Sequence, residues 1–433
     1  MTSHLLRARF AHVGALAELR GSLRLLATRR FGTFWFANLL SSIGTWAQQV
    51  AEPWLLLGLG ASSFVIGLDS FAMNAPVLVL TLAGGALADR ADRRRVITLF
   101  QSLQMLCPIA IVVLLFVGAV RPWMIIGLSV VVGVTDALSM PSFQSIVPSI
   151  VARDQIGRGL ALNATQFNLS RVLGPSIAGL LISSFGAMAC FVVSAASYVP
   201  FIGVALWILP RRMPSPAASH GPRERRPMMS GIGTMLREPH LRGGLLTVLA
   251  TGMLCSPLVT FSPVLVKDVF HGDAGSFSMA AMAFGVGGVL GALGLLGVAP
   301  AVDRRRIAAG FAIGYGVVLV LTALNPCFWA LLPLFVLAGA AMTVSNTAVN
   351  THLQAASSPL VLGQTVSLYM LAMRGGISLG ALITGASVSL MGVRQALLLD
   401  GVLAVAFQGV VGQSWLRARD VHPSAGRGDR CMQ

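Results

Sequence analysis

Glu52, Asp69, Asp136, Arg171 and Arg374 are charged residues set inside long apolar stretches. An ionised side chain at the centre of a bilayer costs at least ~2.5–3.5 kcal/mol on insertion scales, so each of the five marks a candidate functional position. Asp136 and Arg171 lie at matching distances on either side of a turn near residue 153. They are expected at one depth, where they can pair, either as a static ion pair or as a working one. Glu52 and Asp69 flank a turn near residue 60, at about equal depth toward the outside. Two carboxylates side by side disfavour double ionisation, which suits proton binding; the plainer reading has either acid facing an aqueous vestibule. These three acids are the candidates for proton coupling. Arg374 has no partner evident in the sequence and is a candidate contact for an anion or substrate. Asn38, Trp46, Gln48 and Gln49 add hydrogen-bonding and aromatic groups of the kind that line a central cavity, although Trp46 equally suits packing between helices or facing lipid.

Other chemistries find no support. The seven histidines are scattered and no HExxH occurs, so no metal site is expected. The cysteines, Cys107, Cys190, Cys255, Cys327 and Cys431, form no CxxC pair. They are expected as buried small apolar residues, four of them in apolar stretches, and not as a disulfide or metal framework. The single lysine, Lys267, stands outside any GxxxxGK[ST] context. No Walker A lysine is therefore available to hold nucleotide phosphates. No cofactor or nucleotide is expected, so energy for any work by this chain is expected from another source, the proton-motive force.

The elements that must position these residues are membrane helices. The chain has 433 residues, 55% hydrophobic and 11% charged, with a mean hydropathy of +0.79. Soluble domains carry roughly 25% charged residues. Apolar runs at 31–58, 63–88, 96–120, 123–147, 159–185 and 188–209 are followed, after a break, by 244–266, 276–299, 307–324, 327–350, 360–390 and 395–416. Each is long enough to cross a hydrocarbon core of ~30 Å at ~1.5 Å per residue. The expected fold class is all-α integral membrane, with twelve transmembrane helices in two pseudo-symmetric six-helix bundles. The bundles span 31–210 and 244–416, flanked by a basic segment 1–30, a Pro- and Arg-rich linker 211–243 and a tail 417–433. Apolar residues in 1–30 recur at helical spacing, consistent with a surface-lying amphipathic helix or a flexible basic tail. No short apolar core with a small-residue cleavage site stands before the first apolar run, so a signal peptide is not expected there.

The net charge of +16 is an orientation signal. With both termini cytoplasmic, only Arg121, Lys267 and Arg394 of the 31 basic residues fall outside, and only Arg171 and Arg374 within helices. The positive-inside rule therefore predicts a multi-pass protein of the inner membrane with cytoplasmic termini, and a nucleic-acid partner is excluded. The expected partners are a small-molecule substrate and the lipid bilayer, with the chain a monomer.

The two halves repeat. At one constant offset Gly133, Ser139, Gly157, Gly174, Gly179 and Gly186 recur as Gly339, Ser345, Gly363, Gly380, Gly385 and Gly392. ADRRRVI at 91–97 recurs as VDRRRIA at 302–308. Repeated halves are a mark of secondary transporters, with the substrate site between them at mid-membrane.

GALADRADRRR at 85–95 resembles the signature loop of the major facilitator superfamily. Gly85, Asp89, Arg90, Arg93 and Arg94 match, and Asp92 stands where that loop usually has glycine. The resemblance implies a cytoplasmic latch in which Asp89 faces the start of helix 11, near 360–365. SRVLGPSIAG at 170–179, with Gly174, Pro175 and Gly179, is similar to an exporter-associated helix-packing pattern. SSIGTWAQQVAEPWLL at 41–56, MPSFQSIVPSIV at 140–151 and GQTVSLYMLA at 363–372 extend the resemblance to the branch containing the enterobactin exporter and macrolide-efflux-like permeases. That branch often has ALDMP where Ser139 stands here, with Asp136 one turn earlier. The resemblance implies export of a drug-like or siderophore-like molecule by alternating access. A lipid or lysophospholipid flippase on the same fold is the alternative, and an enzyme is not expected. Asp89→Asn is expected to reduce transport while leaving the protein in the membrane; unchanged transport would mean that the loop only sets topology.

Overall fold

The structure, a computed structural model, describes residues 21–144, 146–152, 155–209, 238–298, 302–357 and 362–417. These residues are helical apart from short connections. The first six long helices are α1 (Arg29–Gly58), α2 (Ser63–Arg90), α3 (Arg93–Val117), α4 (Pro122–Gln144), α5 (Ile156–Phe185) and α6 (Ala187–Ile208). In the second half α7 starts at Pro239 and runs to Val269 through two π-helical turns, Thr251–Cys255 and Leu265–Val269. It is followed by α8 (Ala274–Leu296), α9 (Arg304–Leu324), α10 (Phe328–Ala356), α11 (Leu362–Met391) and α12 (Val393–Arg417). The expected start of α7 at 244 is thus too late. Pro239 takes the first helical turn, where its missing N–H costs nothing. Pro257 and Pro263 interrupt the same helix, and π turns beside them absorb the break.

Short-range chemistry sets the ends. Asp92 accepts from Arg94 N (3.0 Å) and Asp303 accepts from Arg305 N (2.9 Å), so the repeated Asp-Arg-Arg-Arg begins α3 and α9 with the same N-cap. This accounts for Asp92 where the superfamily loop carries glycine. Gly186 and Gly392 have φ of +78° and +85°, left-handed values that join α5 to α6 and α11 to α12 in tight turns.

Ten of the helices are long and apolar enough to cross a membrane. The other two, α1 and α5, are long enough but more polar, and they spend that polarity on each other. Asn38 Nδ2 donates to Gln166 Oε1 (2.8 Å), Gln166 Nε2 to Ser42 Oγ (3.0 Å), and Trp35 Nε1 to the Leu162 carbonyl (2.8 Å). Polar groups turned inward in pairs avoid the cost of facing hydrocarbon. Large apolar residues such as Phe116, Phe185 and Leu390 stand exposed, where lipid and not water is the suitable solvent. Trp123 and Trp329, at the equivalent ends of α4 and α10, are exposed like the aromatic belts of membrane interfaces.

The same packing scheme is used twice. α1 packs on α5 and α6, α2 on α4, and α3 on α4 and α6. Likewise α7 packs on α11 and α12, α8 on α10, and α9 on α10 and α12. The extensive contacts between halves are α2 on α11 and α5 on α8, which exchange under that correspondence. The repeated glycines make both kinds of contact. A Cβ at Gly174 would overlap the Trp46 side chain, and one at Gly380 the Met253 carbonyl. A Cβ at Gly179 would sit 2.7 Å from the Ser278 carbonyl oxygen, and one at Gly385 2.9 Å from that of Ser63. Helices that touch through glycine gain close van der Waals packing, the main attraction available between helices in lipid.

The halves meet at one end. Phe64 N donates to Ser389 Oγ (3.1 Å), Ser378 Oγ to the Phe71 carbonyl (3.3 Å), and Trp54 stacks on Phe277 with centroids 4.8 Å apart. A single apolar core there includes Leu56, Ile66, Phe261, Phe277 and Phe335, from both halves. Toward the end that carries the linker the core divides. Phe31, Phe34 and Phe201 pack within the first half, and Leu245, Leu353 and Trp415 within the second. The molecule is therefore closed at the end of the 59–62 turn and splits toward the linker end. A Phe64→Cys, Ser389→Cys pair, with Cys327 replaced, is expected to oxidise readily and halt transport until reduced; failure to cross-link would contradict this closure.

Candidate functional site: a buried carboxylate pair and an ion pair between the halves

α1, α2 and α4 bring three side chains together roughly 9–11 Å inside the closed end, counted by helical rise. Glu52, Asp69 and Ser129 are 2%, 3% and 1% exposed. Ser129 Oγ lies 2.7 Å from Asp69 Oδ1 and 3.0 Å from Glu52 Oε1. Glu52 Oε2 has no hydrogen-bond partner among the described residues, and no arginine or lysine pairs with either acid there. A serine hydroxyl donates one proton, whereas ionised carboxylates only accept. Ser129 can therefore donate to one acid only. Its contact with the other becomes a hydrogen bond when that carboxyl is protonated and donates to Ser129 Oγ. Two bare carboxylates at this burial would leave negative charge without compensation, an expensive state. The arrangement suits a pair holding one proton.

Two turns further along α4, Asp136 crosses to the other half. Arg374 Nη2 donates to Asp136 Oδ2 (3.2 Å) and Arg374 Nη1 to Asn74 Oδ1 (3.0 Å), joining α11 to α4 and α2. The side chains of Arg374 and Asp136 are 20% and 36% exposed, so the pair keeps partial contact with the space between the halves. The expected pairing of Asp136 with Arg171 does not form. α4 packs on α2 and α3, while α5 packs on α1, α6 and α8, so equal depth on consecutive helices does not bring the two residues together. Arg171 instead sits over the Trp46 ring on α1, its guanidinium carbon 5.9 Å from the centroid, within cation–π range.

Residues 20–425 match the family model described as transmembrane secretion effector. The chain belongs to this family of major facilitator transporters. It is a multi-pass membrane transporter, not an enzyme. Among curated relatives, the staphyloferrin A transporter of Staphylococcus aureus is 25% identical over 59% of this chain and 64% of its own length. The multidrug efflux pump Tap of Mycolicibacterium fortuitum is 26% identical over 67% of this chain and 72% of its own. The enterobactin exporter of Shigella boydii is 26% identical over 52% and 55%. The match thus spans less than two thirds of the staphyloferrin A transporter. The fold is shared with the crystal structure of the nucleoside transporter NupG (TM-score 0.72, 11% identity, 89% of this chain and 100% of that one). It is also shared with a bacterial homologue of the lysosomal transporter Spinster in an inward-facing, occupied conformation (TM-score 0.68, 16% identity, 90% and 97%).

Within the transporter, other expected site residues take different places. Asn38 and Gln48 are buried and bonded between helices, Gln48 Oε1 accepting from Ser194 Oγ (2.8 Å), so they hold α1 to α5 and α6 and do not line a cavity. Trp46 and Gln49 are half-buried. The side chains of Gly85, Asp89, Arg90 and Arg93 lie outside the described residues, as do residues 1–20 and 210–237. Arg94 Nη1 reaches the Leu209 carbonyl (3.4 Å), a contact within the first half. Cys107, Cys190 and Cys255 are buried, but Cys327, at the start of α10, is exposed, contrary to expectation.

Three polar features escaped the sequence reading. Ser129 bridges the acids and Asn74 supports Arg374. Asp400, buried on α12, accepts from Thr384 Oγ1 on α11 (2.7 Å). Asp400 carried the same signal as the other acids, a charge within an apolar run. Ser129 and Asn74 had only their spacing, one two turns before Asp136 and the other near Asp69 on the same helix. A charged hydrogen bond of this kind is worth about 1.5–3 kcal/mol. Asp136→Asn and Arg374→Gln are each expected to lower transport about tenfold or more, and the exchange Asp136→Arg with Arg374→Asp to recover part of it. Losses with no recovery in the exchanged protein would argue against the pairing.

Proposed function

We propose that this transporter is a proton-coupled exporter of a small molecule, working by alternating access between its halves. The observation that carries the proposal is the Glu52–Ser129–Asp69 cluster, two buried acids sharing one hydroxyl with no basic partner among the described residues. Membrane burial needs such acids to be neutralised, and a proton is the neutralising ion that this geometry accommodates. Relatives named as an efflux pump and an enterobactin exporter support the outward direction and a drug-like or siderophore-like cargo.

Taken with the distribution of basic residues, the linker end faces the cytoplasm. The conformation is then inward-open, and the carboxylate pair is in its loaded form, its proton having entered from outside before the outer end closed. Coupling runs along the α2–α4 seam. α2 carries Asp69 and Asn74, and α4 carries Ser129 and Asp136. Movement of α2 against α4 as the proton leaves the pair is felt at the Asn74–Arg374–Asp136 bridge, which holds the two halves together. Asp136 therefore belongs to the conformational bridge, and Glu52 or Asp69 carries the proton.

The full chain in proteoliposomes, tested with ethidium, a macrolide and a catecholate siderophore, distinguishes these roles. Glu52→Gln and Asp69→Asn are expected to reduce pH-gradient-driven efflux at least tenfold while preserving downhill substrate exchange. If both variants keep their response to the pH gradient and Asp136→Asn alone loses it, the mid-membrane aspartate is the proton carrier and the assignment falls.

A further inference from the structure

Among the described residues, Arg171 is a cation whose position the fold and the carboxylate cluster leave unexplained. It lies near the middle of α5, a 30-residue helix. It is half-buried and makes no hydrogen bond or ion pair among the described residues; its contact is the face of Trp46. On α5 it shares a face with Ala178 and Ile182, two and three turns further on, which are buried in the core that both halves build. A residue on that face of α5 points between the halves and not into lipid. Arg374, the arginine on α11, has its charge already met by Asp136. Glu52 and Asp69 are sealed inside the first half, and Asp400 is bonded to Thr384 in the second. Between the halves, Arg171 thus carries a positive charge that no carboxylate among the described residues meets, with five N–H donors that none of those residues accepts from.

We propose, building on the export reading, that the transported molecule is a small organic acid, bound by Arg171 through its carboxylate and packed by its flat or apolar body against Trp46. A guanidinium fork matches the two oxygens of a carboxylate, and a bidentate pair is the strong form of that contact. Trp46 is half-buried and lies against the guanidinium, so its indole is placed to pack a planar body next to the acid group. Arg374 supplies a second attraction and is released to the ligand if the Asp136 bridge opens. In this arrangement an anionic cargo completes the charge balance of the cavity, and a cationic cargo is repelled.

Equilibrium dialysis on the purified full chain in detergent tests this without any gradient, using radiolabelled salicylate, citrate and the cation tetraphenylphosphonium. Salicylate is expected to bind the wild type, to be displaced by citrate, and to be unaffected by tetraphenylphosphonium. Arg171→Gln is expected to weaken salicylate at least tenfold and Arg171→Lys to keep part of the affinity, with thermal unfolding of both variants monitored to confirm folding. Rescue by lysine separates recognition of charge from a packing role. Failure of both acids to bind the wild type, or salicylate affinity unchanged in folded Arg171→Gln, overturns the proposal. Intact anion binding in a chain whose efflux ignores the pH gradient supports this inference while sinking the proton reading. Gradient-driven efflux of tetraphenylphosphonium without anion binding does the reverse.

Discussion

Hydrocarbon offers no hydrogen bonds, so every polar group carried into it must find its partner within the protein. Most of this architecture follows from that one condition. The backbone of the described residues is satisfied in long helices, and the polar stripes of α1 and α5 face each other through Asn38, Gln166, Ser42 and Trp35. Helices cannot be driven together in lipid by the hydrophobic effect, so they meet through glycine. Gly133 and Gly339 seat α4 on α2 and α10 on α8, while Gly179 and Gly385 seat one half on the other. The condition is met only in part at Glu52 Oε2 and at the Arg171 guanidinium, the two places to which we assign a proton and an anion.

The scaffold is symmetric and the chemistry is not. In the register that matches Gly133 to Gly339, Ser129 corresponds to Phe335. In the register that places Met73 and Phe284 against those glycines, Asp69 corresponds to Ala280. Phe335 and Ala280 are buried in the apolar core. The first half thus carries a polar cluster where the second carries hydrocarbon. Asp136 likewise corresponds to Met342. Repetition supplies two matching halves, and asymmetry gives the carboxylate cluster to one of them and the Arg374 cation to the other.

Much of this was legible in the sequence because its signals are local or periodic. Apolar runs marked the spans, and the glycine series marked the repeat. Acids within apolar runs drew attention to Glu52 and Asp69, whose adjacency required only a short turn between α1 and α2. Pairing across space was less accessible. Asp136 was matched with Arg171 from depth alone, but partner choice depends on which helices touch, and α4 and α5 are separated in the packing. Its true partner, Arg374, lies far along the chain. Asn38 and Gln48 read as cavity residues because a polar side chain in a membrane helix has the same appearance whether it meets water or another helix. The breaks in α7 were hidden for a similar reason, since prolines in membrane helices are often accommodated without interrupting the span.

The central claim is that the buried carboxylates of this transporter share a proton. Infrared absorption of the purified full chain at neutral pH measures it directly, with Glu52→Gln and Asp69→Asn as difference partners. The account predicts a protonated carboxyl C=O band that shifts in deuterium oxide and disappears in at least one of the two variants. If neither variant alters any such band, both carboxyls are ionised in the wild type and the claim is contradicted.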